Sequence, residues 1–548
     1  MRSLLSINVY LFKHKWRLLF GALFVFLSTI FSLYQGVVVR DATNEIVFQI
    51  SNHKTINISK ILWFGLTLFV LALTSGLFLF LMRQTIIVMS RLIEFDQKND
   101  LYKHYQSLDI SFYKTQTTGD LINRISEDIG KVRMYTGPAI MYVINTFATL
   151  IVVLFFMFQI NWKLTLLVFA PLPILSFLIY KVSDLINKRS TIVQRGLSNL
   201  TSHTQETFSA IRVIKAYARE KHYINELQQL NSTYKKQNLQ LAIVEAFFQP
   251  VMILMVGLSV IVTVWYGSKL VIANTITPGN ITEFIFYVFK LTWPFASLGW
   301  VTSLIQRAAA SQTRIDELLQ KKSTIINTPI ITKKIEGKIE FKNVSFTYSD
   351  NGVKALSNLS ICVEQGKTLG IKGQIGTGKS TIANLITRQY DITEGEILID
   401  NKPIKQYDVF ALRKSIGYVP QEVFLFSDTI KHNIAFSINQ TYTDDEIIQA
   451  AKDAGVYDNI MSFPNGFDTI IGERGVTLSG GQKQRISIAR AIISKPRILI
   501  FDDCLSAVDV ETEDLILNNL KSIMKDKTTI IISHRDSALR NADAIIEL

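Results

Sequence analysis

Long uncharged apolar runs dominate the first half of the chain, and short β-branched runs alternate with helical periodicity in the second. Residues 18–39 and 61–82 carry no formal charge, and as helices rising about 1.5 Å per residue each can cross a hydrocarbon core of roughly 30 Å. Further apolar runs at about 138–160, 164–180, 247–267 and 284–305 bring the predicted spans to six. Only Asn161, Trp162 and Lys163 separate the third from the fourth, so these two read as a helical hairpin. The first run lacks a convincing small-residue cleavage site and reads as an anchored helix rather than a removed leader.

Lys13, Lys15 and Arg17 precede the first span, which places the N-terminus in the cytosol by the positive-inside rule, and six spans return the chain there. Residues 3–15 form a short mixed segment suited to lying along the inner membrane surface. The internal loops, 83–137 and 181–246, contain few Gly or Pro, so the helices are expected to continue into the cytosol. Two segments within them change pattern. Residues 112–129 have a polar turn ending in Gly119 and Asp120, and 207–220 read as an amphipathic helix. Both are either tips that press on a soluble domain or solvated helical hairpins.

Residues 321–336 are polar, without a sustained apolar period, and read as a linker between a membrane domain (1–320) and a soluble domain (337–548). The alternation of strands and helices beyond it predicts an α/β domain with a largely parallel sheet. The fold class is therefore a multidomain membrane protein, a six-helix transmembrane domain followed by an α/β domain.

Composition adjusts this picture only slightly. A net charge of +13 over 548 residues raises the question of nucleic acid binding. The two basic internal loops account for much of that excess, and no nucleic acid partner is expected. Cys362 and Cys504 have no metal-ligand spacing and fit a reducing cytosol.

The chemistry lies in the second half. "GQIGTGKST" runs through Gly373, Gln374, Ile375, Gly376, Thr377, Gly378, Lys379, Ser380 and Thr381, between a strand-like and a helix-like stretch. This is the phosphate-loop pattern: glycines let backbone N–H groups face phosphate at a helix N-terminus. Lys379 is expected on the β- and γ-phosphates and Ser380 on Mg²⁺. A second buried strand, "RILIF", ends at Asp502, the expected acid of the Mg²⁺ site, and between the two motifs stands "LSGGQKQR" at 478–485.

With these motifs in place the chain resembles a half-transporter of the ATP-binding cassette exporter family, of multidrug or lipid type. Leu478, Ser479, Gly480, Gly481 and Gln482 match that family's signature. The resemblance implies ATP and Mg²⁺ as cofactors, and ATP hydrolysis coupled to moving amphipathic compounds or lipids outward. It also implies a second half-transporter as partner, whose ATP this signature covers. Tyr348 resembles the aromatic on which adenine stacks, and Gln421 the glutamine that meets Mg²⁺ or the attacking water. His534 resembles the switch histidine at the γ-phosphate. Glu473 lies in a segment like the acidic loop contacting the internal loops, and Asp509 in one like the loop joining the two ATP sites. The segments 112–129, with Gly119 and Asp120, and 207–220 resemble coupling-helix regions. The implied location is a cytoplasmic membrane, bacterial in character, with the nucleotide-binding domain in the cytosol. Chromosome-maintenance ATPases share "LSGGQ" but lack six spans.

Three features depart from the family pattern or stand outside it. Asp503 occupies the position where the family usually places the glutamate that polarises the attacking water. This resembles the slow-site subunit of heterodimeric exporters; a homodimer with Asp503 as its working base is the alternative, as is a regulatory cassette protein with little pumping. The sequence ends at "ADAIIEL", before the strand pair and helix with which family members usually finish. Lys290 lies inside the sixth span, where a cation is costly, and either pairs within the bundle, reaches the outer surface or meets an anionic substrate group.

Overall fold

The computed structural model describes residues 2–53, 57–331, 334–374, 376–438, 442–472, 478–504 and 510–548. They form two compact units: Met1–Tyr105 with Gly119–Gln320, and Gln106–Thr118 with Lys321–Leu548.

The first unit is helical. Among the described residues five helices are long and apolar enough to cross a membrane: Lys15–Ser51, Ile58–Ser107, Thr118–Ile160, Glu220–Ile272 and Pro278–Leu319. The expected fourth span, 164–180, is divided at Ala170 between Trp162–Phe169 and Pro171–Ser209, so six continuous apolar helices are not found. Pro171 lacks the N–H that would continue the preceding helix, and proline is well suited to starting a new one. The expected hairpin between spans three and four is present. Asn161 is extended and its side chain caps the new helix, accepting from the Leu164 N–H at 3.0 Å.

The helices continue past their apolar runs. Two single π-turns, Arg124–Asp128 and Tyr135–Ala139, interrupt the third long helix. The first turn carries Asp128, whose buried carboxylate takes hydrogen bonds from Ser311 and from Arg314 Nε, each at 2.9 Å. Burial alone would raise the Asp128 pKa, but Arg314 and Ser311 hold it below the usual carboxylate range.

The N-terminal segment is a short 3₁₀ turn, Arg2–Ile7, followed by the helix Asn8–Lys13 and a break at His14. Ile7 is fully buried and Ser3 donates to the Ala309 carbonyl, so one side packs on the helix Pro278–Leu319. Leu5, Val9 and Phe12 are exposed on the other side.

The second unit contains nine strands among its described residues: β1 (Ile339–Thr347), β2 (Lys354–Val363), β3 (Thr368–Lys372), β4 (Glu394–Ile399), β5 (Lys402–Pro403), β6 (Ile416–Val419), β7 (Ile498–Asp502), β8 (Thr528–Ile532) and β9 (Ala544–Glu547). The expected parallel sheet is there, in the order β6-β7-β8-β3-β9, and its paired strands all run parallel. An antiparallel sheet, β2-β1-β4-β5, accompanies it. All five residues of β7 and of β8 are buried, as expected for central strands of a covered parallel sheet.

Residues 106–118 pack with this unit through the short helix Ile110–Thr115. Asp109 caps it, accepting from the Ser111 N–H at 3.1 Å, and also accepts from the Thr324 hydroxyl at 2.7 Å. One carboxylate thus fixes both the helix start and the beginning of the linker. Burial would raise its pKa, yet the Ser111 and Thr324 hydrogen bonds hold it at about 2 instead of the ordinary 3.8. For a depressed carboxylate the stabilisation is complete above the unfolded pKa and is lost as pH falls through the folded one, here between about 4 and about 2. Asp109→Ala is expected to cost about 0.5–2 kcal/mol locally, read as faster amide exchange over 106–118 with little change in β7.

Candidate functional site

The phosphate loop begins where β3 ends and closes on the helix Lys379–Ile386. Gly376 and Gly378 adopt φ of +91° and +89°, a region that side chains disfavour. At Gly378 a Cβ would also lie 2.3 Å from the Ala355 carbonyl oxygen, so no other residue fits. Lys379 Nζ donates back to the carbonyls of Gly373 at 2.7 Å and Gln374 at 2.5 Å, which holds the ammonium over the loop. Thr377 Oγ1 donates to the Gln374 carbonyl at 3.0 Å. Thr381 Oγ1 lies 3.0 Å from the Tyr348 hydroxyl, joining the loop to the aromatic expected under adenine. Ile375 lies outside the described residues.

Ser380 Oγ donates to Asp502 Oδ1 at 3.0 Å. Asp502 ends β7 and is 2% exposed, and burial, aided by the charge of Asp503, pushes its carboxyl pKa up against the opposing pull of Ser380 and Lys379. A hydroxyl beside a buried carboxylate matches the oxygen ligands and compensating charge that Mg²⁺ prefers. These two residues would hold the ion, which when bound neutralises charge on the phosphates. Gln421 is exposed in the loop after β6.

Asp503 follows with φ +44°, and its N–H donates to the Ile532 carbonyl at 2.9 Å. Because β7 and β8 pair in parallel with Asp502 opposite Ile532, the next residues of each strand meet. Asp503 Oδ1 and His534 Nδ1 are 3.1 Å apart. An acid and an imidazole therefore stand together beside the metal-site acid, a suitable pair for orienting water against a phosphoryl group.

The signature opens the helix Gly480–Ile492. Ser479 Oγ accepts from the Gln482 N–H at 3.3 Å and Gln482 Oε1 accepts from the Ser479 N–H at 2.9 Å, a reciprocal capping box. Leu478 is buried beneath it, whereas Ser479 and Gly480 are exposed and Gly481 is half-buried. The start of this helix offers backbone donors and a positive dipole end to an anion.

Among the expected coupling residues, Glu473 and Asp509 lie outside the described residues. Gly119 and Asp120 sit on the helix Thr118–Asn123 in the first unit, and Asp120 pairs with Arg124 at 2.8 Å. The other candidate segment contains the helix Ile211–Ala216, with Ile214 buried and Phe208, Val213 and Tyr217 exposed. Sequence reasoning missed Asp109, just outside the candidate segment 112–129, and did not single out Lys114 within it; both lie in 106–118, which packs with the nucleotide-binding unit. An acid two residues before Ser111 and three before Phe112 was an available helix-start signal. In the first unit Lys290 Nζ donates to Ser32 Oγ at 2.7 Å and lies 5.1 Å from the centre of the Phe286 ring. Among the described residues it pairs with no carboxylate.

Two family models match the chain, "ABC transporter transmembrane region" over residues 18–295 and "ABC transporter" over 356–506. The multidrug resistance-like ATP-binding protein MdlA of Escherichia coli is 33% identical, the alignment covering 100% of this chain and 92% of the relative. The probable multidrug resistance ABC transporter ATP-binding/permease protein YheI of Bacillus subtilis is 37% identical over 83% of this chain and 78% of its own length. The ATP-dependent lipid A-core flippase of Syntrophus aciditrophicus is 34% identical over 83% of this chain and 75% of its own.

Proposed function

The chain belongs to the ABC transporters, and from that premise we propose that it is one half of an exporter moving amphipathic compounds or lipids outward across a bacterial cytoplasmic membrane. It is an ATP hydrolase whose turnover is coupled to transport. The observation that carries the reading is the union, in one chain, of long apolar helices with a phosphate loop whose Ser380 meets Asp502 at 3.0 Å. The names of the relatives, multidrug resistance-like proteins and lipid A-core flippases, support the cargo class.

In this reading Lys379, Ser380 and Asp502 hold MgATP, and the helix beginning at Gly480 closes on the nucleotide of a partner. Two ATP molecules between two cassettes then favour the closed state, and hydrolysis releases it. Asp503, standing where the family usually has glutamate, supports a slow site in a heterodimer, whose fast site combines this chain's signature with a partner's phosphate loop and glutamate. A homodimer using Asp503 as base is the second reading. Inside-out vesicles with the transporter should accumulate a fluorescent amphipath or labelled lipid when ATP is added. Lys379→Met in every subunit should abolish this. ATP turnover without accumulation of any such cargo would indicate a gate rather than a pump.

Among the described residues Lys290 has a hydroxyl and an aromatic ring as close partners and no carboxylate, which supports cargo with an anionic group. Lys290→Met is expected to reduce transport of anionic amphipaths by about tenfold, the scale of one charge-assisted hydrogen bond, while sparing cationic ones. Equal transport of both classes by the variant would remove this assignment.

A further inference from the structure

The helix Ile110–Thr115 does more than lie beside the nucleotide-binding unit: its Lys114 touches the aromatic group expected to carry adenine. Lys114 Nζ is 4.4 Å from the centre of the Tyr348 ring and 5.1 Å from that of Tyr390. The two rings stand nearly perpendicular, 5.3 Å apart at 89°, and the Phe346 ring lies at 81° to that of Tyr348 with centres 4.8 Å apart. The Tyr348 hydroxyl is fixed by Thr381, the residue after the metal-site serine. Asp109, at the other end of the same helix, ties it to Thr324. All these residues belong to the second unit.

An ammonium over one face of an aromatic ring is attracted by the ring quadrupole and draws electron density toward itself. The opposite face then becomes a better platform for an electron-rich purine. We propose that Lys114 is the positioning residue through which this helix senses the base of the nucleotide: adenine stacked on Tyr348 and Lys114 held against the same ring stabilise one another. The proposal rests on the reading of Tyr348 as the adenine platform. Because such coupling is reciprocal, the helix that favours adenine is also held more firmly when adenine arrives. The triphosphate, recognised by the loop at 373–381, does not use this contact. Base and phosphates therefore report to different parts of the protein.

The test uses the full-length transporter in nanodiscs, with equilibrium binding of MgATP compared with binding of Mg-tripolyphosphate, which lacks the base. Lys114 is exposed at the helix surface, so its replacement leaves the core intact. Lys114→Met is expected to weaken ATP binding about two- to fivefold, the scale of an exposed cation–π contact, and to leave tripolyphosphate binding unchanged. Lys114→Arg, which keeps a cation over the ring, should restore ATP affinity. In a Tyr348→Leu background, Lys114→Met should have no further effect. Amide exchange over 110–115 should slow with ATP and not with tripolyphosphate. Unchanged ATP affinity in Lys114→Met, equal losses for both ligands, or additivity with Tyr348→Leu would overturn the proposal. If Tyr348→Leu itself leaves ATP affinity intact, the platform reading fails as well. Loss of transport with these binding differences preserved would count against the exporter reading alone.

Discussion

Replacing Asp503 with Glu is expected to raise ATP turnover by the chain alone about 100-fold. Asp503 leaves the end of β7 beside the buried Asp502, and its carboxylate is already within 3.1 Å of His534. The neighbouring group needed to orient an acid is therefore in place; on the slow-site reading, what falls short is reach. One additional methylene extends the carboxylate by about 1.5 Å, and a displacement of about 1 Å can change a rate roughly 100-fold. ATP affinity should be unchanged, because Lys379, Ser380 and Asp502 are untouched. Steady-state phosphate release from the purified chain, with Asp503→Asn as the inactive reference, gives the answer. If Asp503→Glu turns over no faster than the natural chain, the length of this side chain is not what limits the site.

The second large effect is an asymmetry between two motifs of the same chain. In a complex with a partner that supplies glutamate, Gly480→Asp is expected to reduce total ATP turnover by at least about 100-fold, comparable with removing a preorganised donor from a reacting oxyanion. Gly480 is the first residue of its helix and is exposed. A carboxylate there occupies the positive end of the dipole and repels the phosphate that the partner presents. On the heterodimer reading Lys379→Met in this chain, by contrast, removes phosphate binding only at the slow site and should leave most turnover intact. Titrating turnover of the two variants against the same partner preparation distinguishes them. Comparable losses from both would mean that the two sites contribute alike.

Much of this site was legible because its elements are contiguous. The loop 373–381 is set by glycines at positive φ and a strand-to-helix transition, all local properties. Asp502 follows an unbroken buried strand. The pairing of Asp503 with His534 was not visible in the linear chain, because it depends on β7 and β8 being adjacent and in register. The antiparallel sheet was hidden for a similar reason: β1 pairs with both β2 and β4 across irregular registers. The fourth apolar run looked continuous in composition, yet the backbone restarts at Pro171. Asp109 was passed over because its function combines a local cap with a distant bond to Thr324, and only the first has a sequence signal. Lys114 has no sequence signal of its own, because Tyr348 and Tyr390 are distant in the chain and meet it only in the fold.

The most direct test is ATP turnover by this chain reconstituted alone and then with a second half-transporter carrying glutamate after its metal-site aspartate. The account predicts slow turnover alone, a large rise on adding the partner, and loss of that rise when this chain carries Gly480→Asp. Rapid turnover by the lone chain that disappears with Asp503→Asn would contradict it, and would make Asp503 a working base in a homodimer.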